Sequence, residues 1–210
     1  MTTAIGAYAT GTALKTRANI SDSTDDTLIG TICDQVNQFI EGVTGRIIAP
    51  ISGTPVYTYD GTSNSMLYLP LLGDGSPVGG VRSITTLQVA QYTGAAYETL
   101  AAGDYFLRGK SGPAAPFDWL MLSDRPVGQF FTFPRGYDTV KITGLFGWAA
   151  IPDDITDVAL TIAVRAWHAR EAGQQDIVGT DEFGRPLISR FVSGRDRDTL
   201  RRYTLPGSLA

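Results

Sequence analysis

Near both ends of the chain, apolar residues recur at helical spacing; between those regions they come in short runs broken by turn residues. The clearest repeat is Leu28, Ile29, Ile32, Cys33, Val36, Phe39, Ile40 and Val43. Residues three and four apart share one helix face, so this stretch predicts an amphipathic helix. Ser23 and Asp26 have capping-box spacing, with Asp in place of the usual Glu. Asp25 and Asp26 fall in the first turn, where the helix dipole favours anions, and Gly45 suits the left-handed residue that ends a helix. A shorter helix over Tyr8–Ile20 precedes it, with Thr10 as N-cap and Leu14 and Ala18 as its apolar contact. Helix returns at Pro152, a residue preorganised for a first turn and followed by Asp153 and Asp154. Ile155, Val158, Ala159, Ile162, Ala163, Ala166 and Trp167 form one face; Arg165, His168 and Glu171 form the other, and Gly173 marks the end.

From Pro50 to Gly147 the period shortens. Runs rich in β-branched and aromatic residues alternate with Gly, Pro, Asp and Ser clusters. The strands predicted are Val56–Tyr59, Met66–Leu69, Ile84–Ala90, Tyr105–Arg108, Trp119–Leu122, Phe130–Phe133 and Thr139–Leu145. Leu72–Gly80 and Gly109–Pro116 lack apolar periodicity and are expected to be exposed loops. Together these readings predict an α+β fold. Antiparallel helices from both ends of the chain (8–48 and 152–173) pack together around a core of Leu28, Ile32, Val36, Phe39, Ile40, Ile155, Val158, Ile162 and Trp167. A small antiparallel β-domain (50–148) is inserted between them, and an extended C-terminal tail (174–210) follows, in which Ser193–Tyr203 has the makings of a short helix.

Composition narrows the function. At 210 residues and 43% hydrophobic content, the chain can bury a core without disulfides or metal. The formal net charge of -4 excludes a general basic field for nucleic acid. The basic residues are uneven: six arginines (185, 190, 195, 197, 201 and 202) crowd the tail, which contains no lysine. Such a segment reads as a solvated tail partly neutralised by Asp196 and Asp198, or as a docking arm for acidic groups on another protein. A DNA-binding arm fits less well, because lysines are missing. Cys33, the single cysteine, excludes an intramolecular disulfide framework and reads as a buried thiol. Met1–Gly11 has no basic n-region and no apolar h-region, so no signal peptide is expected, and no apolar run approaches a membrane span.

No catalytic constellation emerges. His168 is the only histidine, which excludes multi-His metal sites, and it reads as a solvated residue of a polar helix face. The segment Gly103–Ser111 (GDYFLRGKS) has five residues between its glycines where a phosphate loop needs four, and Gly112-Pro113 follows instead of a helix. It reads as a strand ending in a turn. Asp153, Asp154 and Asp157 could be imagined as metal ligands, but helix capping accounts for the first two. Phe130, Phe131 and Phe133 read as core and loop cover, not as a base-stacking platform. No catalytic residue, metal or cofactor is expected.

Taken in order, several segments resemble the head-tail connector (adaptor, head completion) family of tailed bacteriophages. Tyr8-Ala9-Thr10 with Leu14-Lys15 resembles that family's opening helix. Ile20-Ser21-Asp22, Asp25-Asp26, Leu28-Ile29, Phe39-Ile40-Glu41 and Thr44-Gly45-Arg46 resemble its second. Leu67-Tyr68-Leu69-Pro70 with Val81, Ser83, Ile84 and Thr85 is similar to its first β pair, and Asp104-Tyr105 with Leu107 to a further strand. Val140, Ile142-Thr143-Gly144 and Phe146-Gly147-Trp148, then Pro152-Asp153-Asp154-Ile155, resemble the strand leading into its last long helix. Leu200-Arg201-Arg202-Tyr203 resembles a short closing helix. The β-rich middle is longer than in compact members, and Leu72–Gly80 and Gly109–Pro116 look like additions.

The resemblance implies a virion protein, not an enzyme, assembled in the host cytoplasm and placed in the head-tail neck. It implies a cyclic homo-oligomer of about twelve copies beneath the portal, held by a heterologous interface that closes. The implied partners are the portal protein, a tail-side stopper or tail-completion protein, and double-stranded DNA passing through the lumen without sequence-specific binding; no membrane is involved. The tail residues assigned to portal docking are Arg185, Arg190, Phe191, Arg195, Arg197, Arg201, Arg202 and Tyr203. The competing readings are another neck or tail-completion protein, which would share β-rich domains and ring symmetry, and a small hydrolase with an unrecognised carboxylate pair. The hydrolase requires a deep pocket holding two acids; the connector requires exposed flat patches.

Overall fold

The computed structural model describes residues 6–72, 75–110, 115–124, 128–171 and 192–205. Among the described residues the fold is α+β, with a curled antiparallel sheet and four helices. Residues 46–150 form one compact unit, and the described residues of 5–45 and 151–210 form a second.

The helical unit contains α1 (Gly11–Ala18), α2 (Asp26–Thr44), α3 (Asp153–Glu171) and α4 (Gly194–Arg201). The Thr10 hydroxyl caps α1 by accepting from Ala13 N, and Gly45 ends α2 in the left-handed conformation. The expected Ser23–Asp26 capping box does not form. Asp25 occupies the N-cap without a side-chain capping bond, its carboxylate lying 3.4 Å from Arg170 instead, while Asp26 pairs with Lys15 at 2.6 Å and Asp22 accepts from Thr24 N. The local acids serve ion pairs and a turn. α2 buries Ile29, Ile32, Cys33, Val36 and Ile40, while Leu28 and Phe39 flank this stripe half-buried. α3 buries Ile155, Val158, Ala159, Ile162, Ala163 and Trp167. α2 packs on α3, α1 packs on both, and α4 packs on α2 and α3. Each buried Ile or Leu contributes about 1.5–3 kcal/mol over an exposed one.

Residues 192–205 do not extend away as a tail. Ser193 and Asp196 form a reciprocal capping box at the start of α4, and Asp196 also accepts from Arg165 at 2.6 Å. Val192, Leu200 and Leu205 are buried, and Leu205 N donates to Thr44 O at 3.0 Å. Three apolar side chains and a capped helix outweigh the solvation of the neighbouring arginines. The 174–191 part of the predicted tail, and the expected helix stop at Gly173, lie outside the described residues.

The β unit comprises β1 (Val56–Gly61), β2 (Met66–Tyr68), β3 (Val81–Ala90), β4 (Tyr97–Thr99), β5 (Tyr105–Lys110), β6 (Phe117–Leu122) and β7 (Gly136–Phe146). All pairings are antiparallel, in the order β1-β7-β3-β6-β2, with β4 on β3 and β5 on β6. The inward face carries Tyr59, Leu87, Val89, Leu120, Val140, Ile142 and Phe146, all essentially fully buried. The Tyr59 hydroxyl is satisfied by Leu69 O.

Three expectations are corrected here. Phe130–Phe133 is not a strand: Phe130 and Phe133 are buried and Phe131 is exposed, and Pro134 has no N–H to extend a ladder. The short β4 was not anticipated. The Leu72–Gly80 segment is not an open loop throughout, because Val78, Gly79 and Gly80 are buried. Gly79 has φ +77, and a Cβ there would lie 2.4 Å from Ile47 O, so its glycine permits a close backbone approach as well as a turn. Ala115 and Pro116 are likewise buried, contrary to the exposure expected for Gly109–Pro116, of which 111–114 lie outside the described residues.

Candidate interaction surfaces

The arginines of α4 divide by role. Arg195 and Arg197 are exposed. Arg201 is exposed and lies 3.5 Å from Asp198; Arg202 donates to Thr199 at 3.2 Å and stands 3.8 Å from Asp154. Tyr203 is half-buried and donates to Asp154 at 2.7 Å, and burial together with that carboxylate pushes its hydroxyl up to about 12. Burial of Asp196 acts to raise its pKa, but the Ser193 and Arg165 hydrogen bonds outweigh it, so its carboxyl is held below its ordinary value. The outer side of α4 therefore presents guanidinium groups while its inner side is fixed to the helical unit. Arg185, Arg190 and Phe191 lie outside the described residues.

Two of the three acids considered as metal ligands are engaged otherwise. Asp157 pairs with Arg17 at 2.7 Å, Asp154 accepts from Ile155 N and Tyr203, and Asp153 is exposed. Among the described residues, no group of three or more His, Cys, Asp or Glu could hold a metal ion. His168 is exposed on α3. Cys33 is buried, and burial pushes its thiol up to about 11. GDYFLRGKS contributes β5, with Gly109 at φ +79 inside it. No described helix is long and apolar enough to cross a membrane.

Two buried polar links stand out. In the helical unit, the Asn37 side chain accepts from Ala9 N at 2.8 Å and donates to Ala9 O at 3.1 Å, while Glu41 accepts from Gly6 N and the Tyr8 hydroxyl. In the β unit, Arg46 meets Asp118 at 2.9 Å with both side chains largely buried. Desolvation outweighs the attraction of Arg46, so the Asp118 carboxyl is raised above its ordinary value.

The surface of the β unit carries the feature least visible in sequence. All seven exposed large hydrophobic residues among those described belong to this unit. Three of them, Met66, Phe106 and Trp119, lie on the outward face of β2-β6-β5. There Met66, Met121 and Phe106 align across the strands, as do Tyr68, Trp119 and Arg108. Tyr68 and Trp119 pack with ring centroids 4.8 Å apart, and the Arg108 guanidinium lies 5.1 Å over Phe106. A second group, Tyr92 and Phe131 on loops and Tyr137 at the start of β7, sits at one end of the unit, 60–74% exposed. Thr93 exchanges hydrogen bonds with Tyr137, and Phe133 exchanges them with Ser63 and Asn64.

Solved structures share this fold. One chain in the structure described as "Virion of native gene transfer agent (GTA) particle" matches with a TM-score of 0.54 and 16% identity, covering 99% of this chain and 97% of that one. Another, in "Neck of empty GTA particle computed with C6 symmetry", matches with a TM-score of 0.50 and 16% identity, over 90% and 92%. The three chains share a fold. No protein-family profile and no curated protein sequence matches the chain. Similarity at this identity carries architecture only; the surface residues above are this chain's own.

Proposed function

We propose that the chain is a structural virion protein of a tailed-phage-like particle: a head-tail connector subunit that closes into a ring beneath the portal, joins head to tail and lets DNA pass. The observation that carries this reading is the end-to-end likeness in fold to a chain of a gene transfer agent virion, 99% of one chain against 97% of the other. The similarly folded chain from a neck structure supports the same placement, and so does the ordered resemblance to connector segments in the sequence.

A ring of about twelve copies closes through two different complementary patches on each subunit. Each copy adds a net charge of -4, so the lumen is neutral or negative and passes DNA without the counterion release that makes phosphate binding tight. The guanidinium side of α4, with Arg195, Arg197, Arg201 and Arg202, faces acidic groups on the portal. The tail-side partner is a stopper or tail-completion protein. The site performs no chemistry, and the particle neck is where the protein resides.

Co-sedimentation tests the reading. The purified chain mixed with the portal of the same particle should move with it through a density gradient in a fixed stoichiometric ratio. A chain that stays at the top while both proteins are folded contradicts portal binding and favours a tail-side neck component.

A further inference from the structure

The outward face of β2-β6-β5 differs from the outward face of the rest of the same sheet. On β1-β7-β3-β4 the aligned outward positions include the polar pairs Thr58 with Lys141 and Gln88 with Thr99, with exposed Val56 and Tyr137 only at the strand ends. On β2-β6-β5 the corresponding positions are Met66, Met121, Phe106, Tyr68, Trp119 and Arg108. Aromatic residues, Met and Arg are the types enriched in the buried centres of protein interfaces. The inward positions of these strands, Leu67, Leu120 and Leu122, are already buried in the core, so the outward ones are not needed to fold the unit.

The charges point to an occupant. This face carries Arg108 and no carboxylate. The loop end bearing Tyr92, Phe131 and Tyr137 carries exposed Glu98 and Asp138, with Arg135 beside them. Aromatic groups on both patches, a cation on one and carboxylates on the other make the two complementary but not alike. A cyclic ring requires two such unlike patches on every subunit.

We propose that the β2-β6-β5 face of one subunit receives the loop end of a second copy, with Trp119 and Phe106 packing against Tyr137 and Phe131, and Arg108 facing Asp138 or Glu98. This heterologous contact joins β units around the ring, and it rests on the ring reading given above.

Cysteine cross-linking tests it in the full chain assembled with portal, using a short bis-maleimide; native Cys33 is buried. The double variant Phe106→Cys/Tyr137→Cys should give a ladder of covalent oligomers on a denaturing gel, and each single variant should give none. Dimers from a single variant would mean a self-complementary contact and overturn the proposal. Visible rings without a ladder overturn the proposal alone; absence of rings for the wild-type chain overturns it together with the connector reading. A cross-link to portal or to DNA assigns the face to another occupant and equally overturns it. As a second variant, Trp119→Asp should raise the concentration needed for ring assembly by at least about tenfold, as expected for a central aromatic anchor. An unchanged assembly threshold in a folded Trp119→Asp protein contradicts the placement of that anchor.

Discussion

Replacing Asn37 with Leu removes one side chain that satisfies two buried backbone groups. The Asn37 amide bridges Ala9 N at 2.8 Å and Ala9 O at 3.1 Å, and Asn37 and Ala9 are 5% and 2% exposed. Leu keeps the branched shape but offers neither donor nor acceptor. Leaving a buried polar group without its partner costs about 1–3 kcal/mol each, so the gross penalty is about 2–6 kcal/mol. The upper end is not reached, because the 6–9 segment can lift from α2 and let water pair with Ala9. Detachment in turn exposes Tyr8 and breaks its bond to Glu41. The expected loss is therefore about 2–3 kcal/mol, or about 4–12 °C in Tm at 2–4 °C per kcal/mol for a chain of this size. Urea denaturation followed by Trp fluorescence measures it, and hydrogen exchange at the Ala9 amide localises it. Gln38→Ala, on the exposed side of α2, is the control and should stay within about 0.5 kcal/mol. A loss below about 0.5 kcal/mol for Asn37→Leu, with Ala9 still protected, would refute the role assigned to the bridge.

Other outcomes follow from the same geometry. Burial raises the Glu41 carboxyl above its ordinary value of 4.5, outweighing the Gly6 and Tyr8 hydrogen bonds. The folded protein thus holds a proton that the unfolded chain has released. This contribution is complete below 4.5 and is lost as pH rises through the folded value. Glu41→Gln, which keeps an acceptor, should flatten the fall in stability above pH 4.5; an unchanged pH profile would contradict the assignment. Asp118→Ala takes the carboxylate from the buried Arg46 guanidinium and should destabilise the β unit by about 3 kcal/mol, whereas Arg46→Met/Asp118→Leu should recover most of that loss in denaturation curves. Converting Arg195, Arg197, Arg201 and Arg202 together to Ser should leave the circular dichroism spectrum intact and weaken portal binding at least about tenfold in a salt-dependent manner; undiminished binding places the portal contact elsewhere.

The helices were legible because their information is local. The spacing of Ile29, Ile32, Val36 and Ile40 on α2, and of Ile155, Val158, Ile162 and Trp167 on α3, marks one face of each helix, and these residues are buried. What failed was what depends on distant partners. The Ser23–Asp26 box lost its acid to Lys15 of α1. The glycines before β3 looked like markers of an exposed loop, yet Gly79 is there because the Ile47 carbonyl passes 2.4 Å from where a Cβ would sit. The apolar Phe130–Phe133 run mimicked a strand, but Phe130 and Phe133 are buried with Phe131 and Thr132 both exposed between them, which is not the alternation of a strand. β4, three residues with Glu and Thr among them, is a strand only because β3 offers an edge. In the run Phe117–Leu122 both sheet faces are apolar apart from Asp118, so the sequence reads as a doubly buried strand and conceals an exposed aromatic surface. The Arg-rich end looked like an arm, but Val192, Leu200 and Leu205 anchor residues 192–205 to the helices.

Electron microscopy of the chain mixed with the portal of its own particle tests the connector reading most directly. The expected image is a second ring stacked coaxially on the portal, giving the copy number and showing the guanidinium side of α4 toward the portal. Portal rings with no added density, from a mixture in which both proteins are folded, would contradict the connector role.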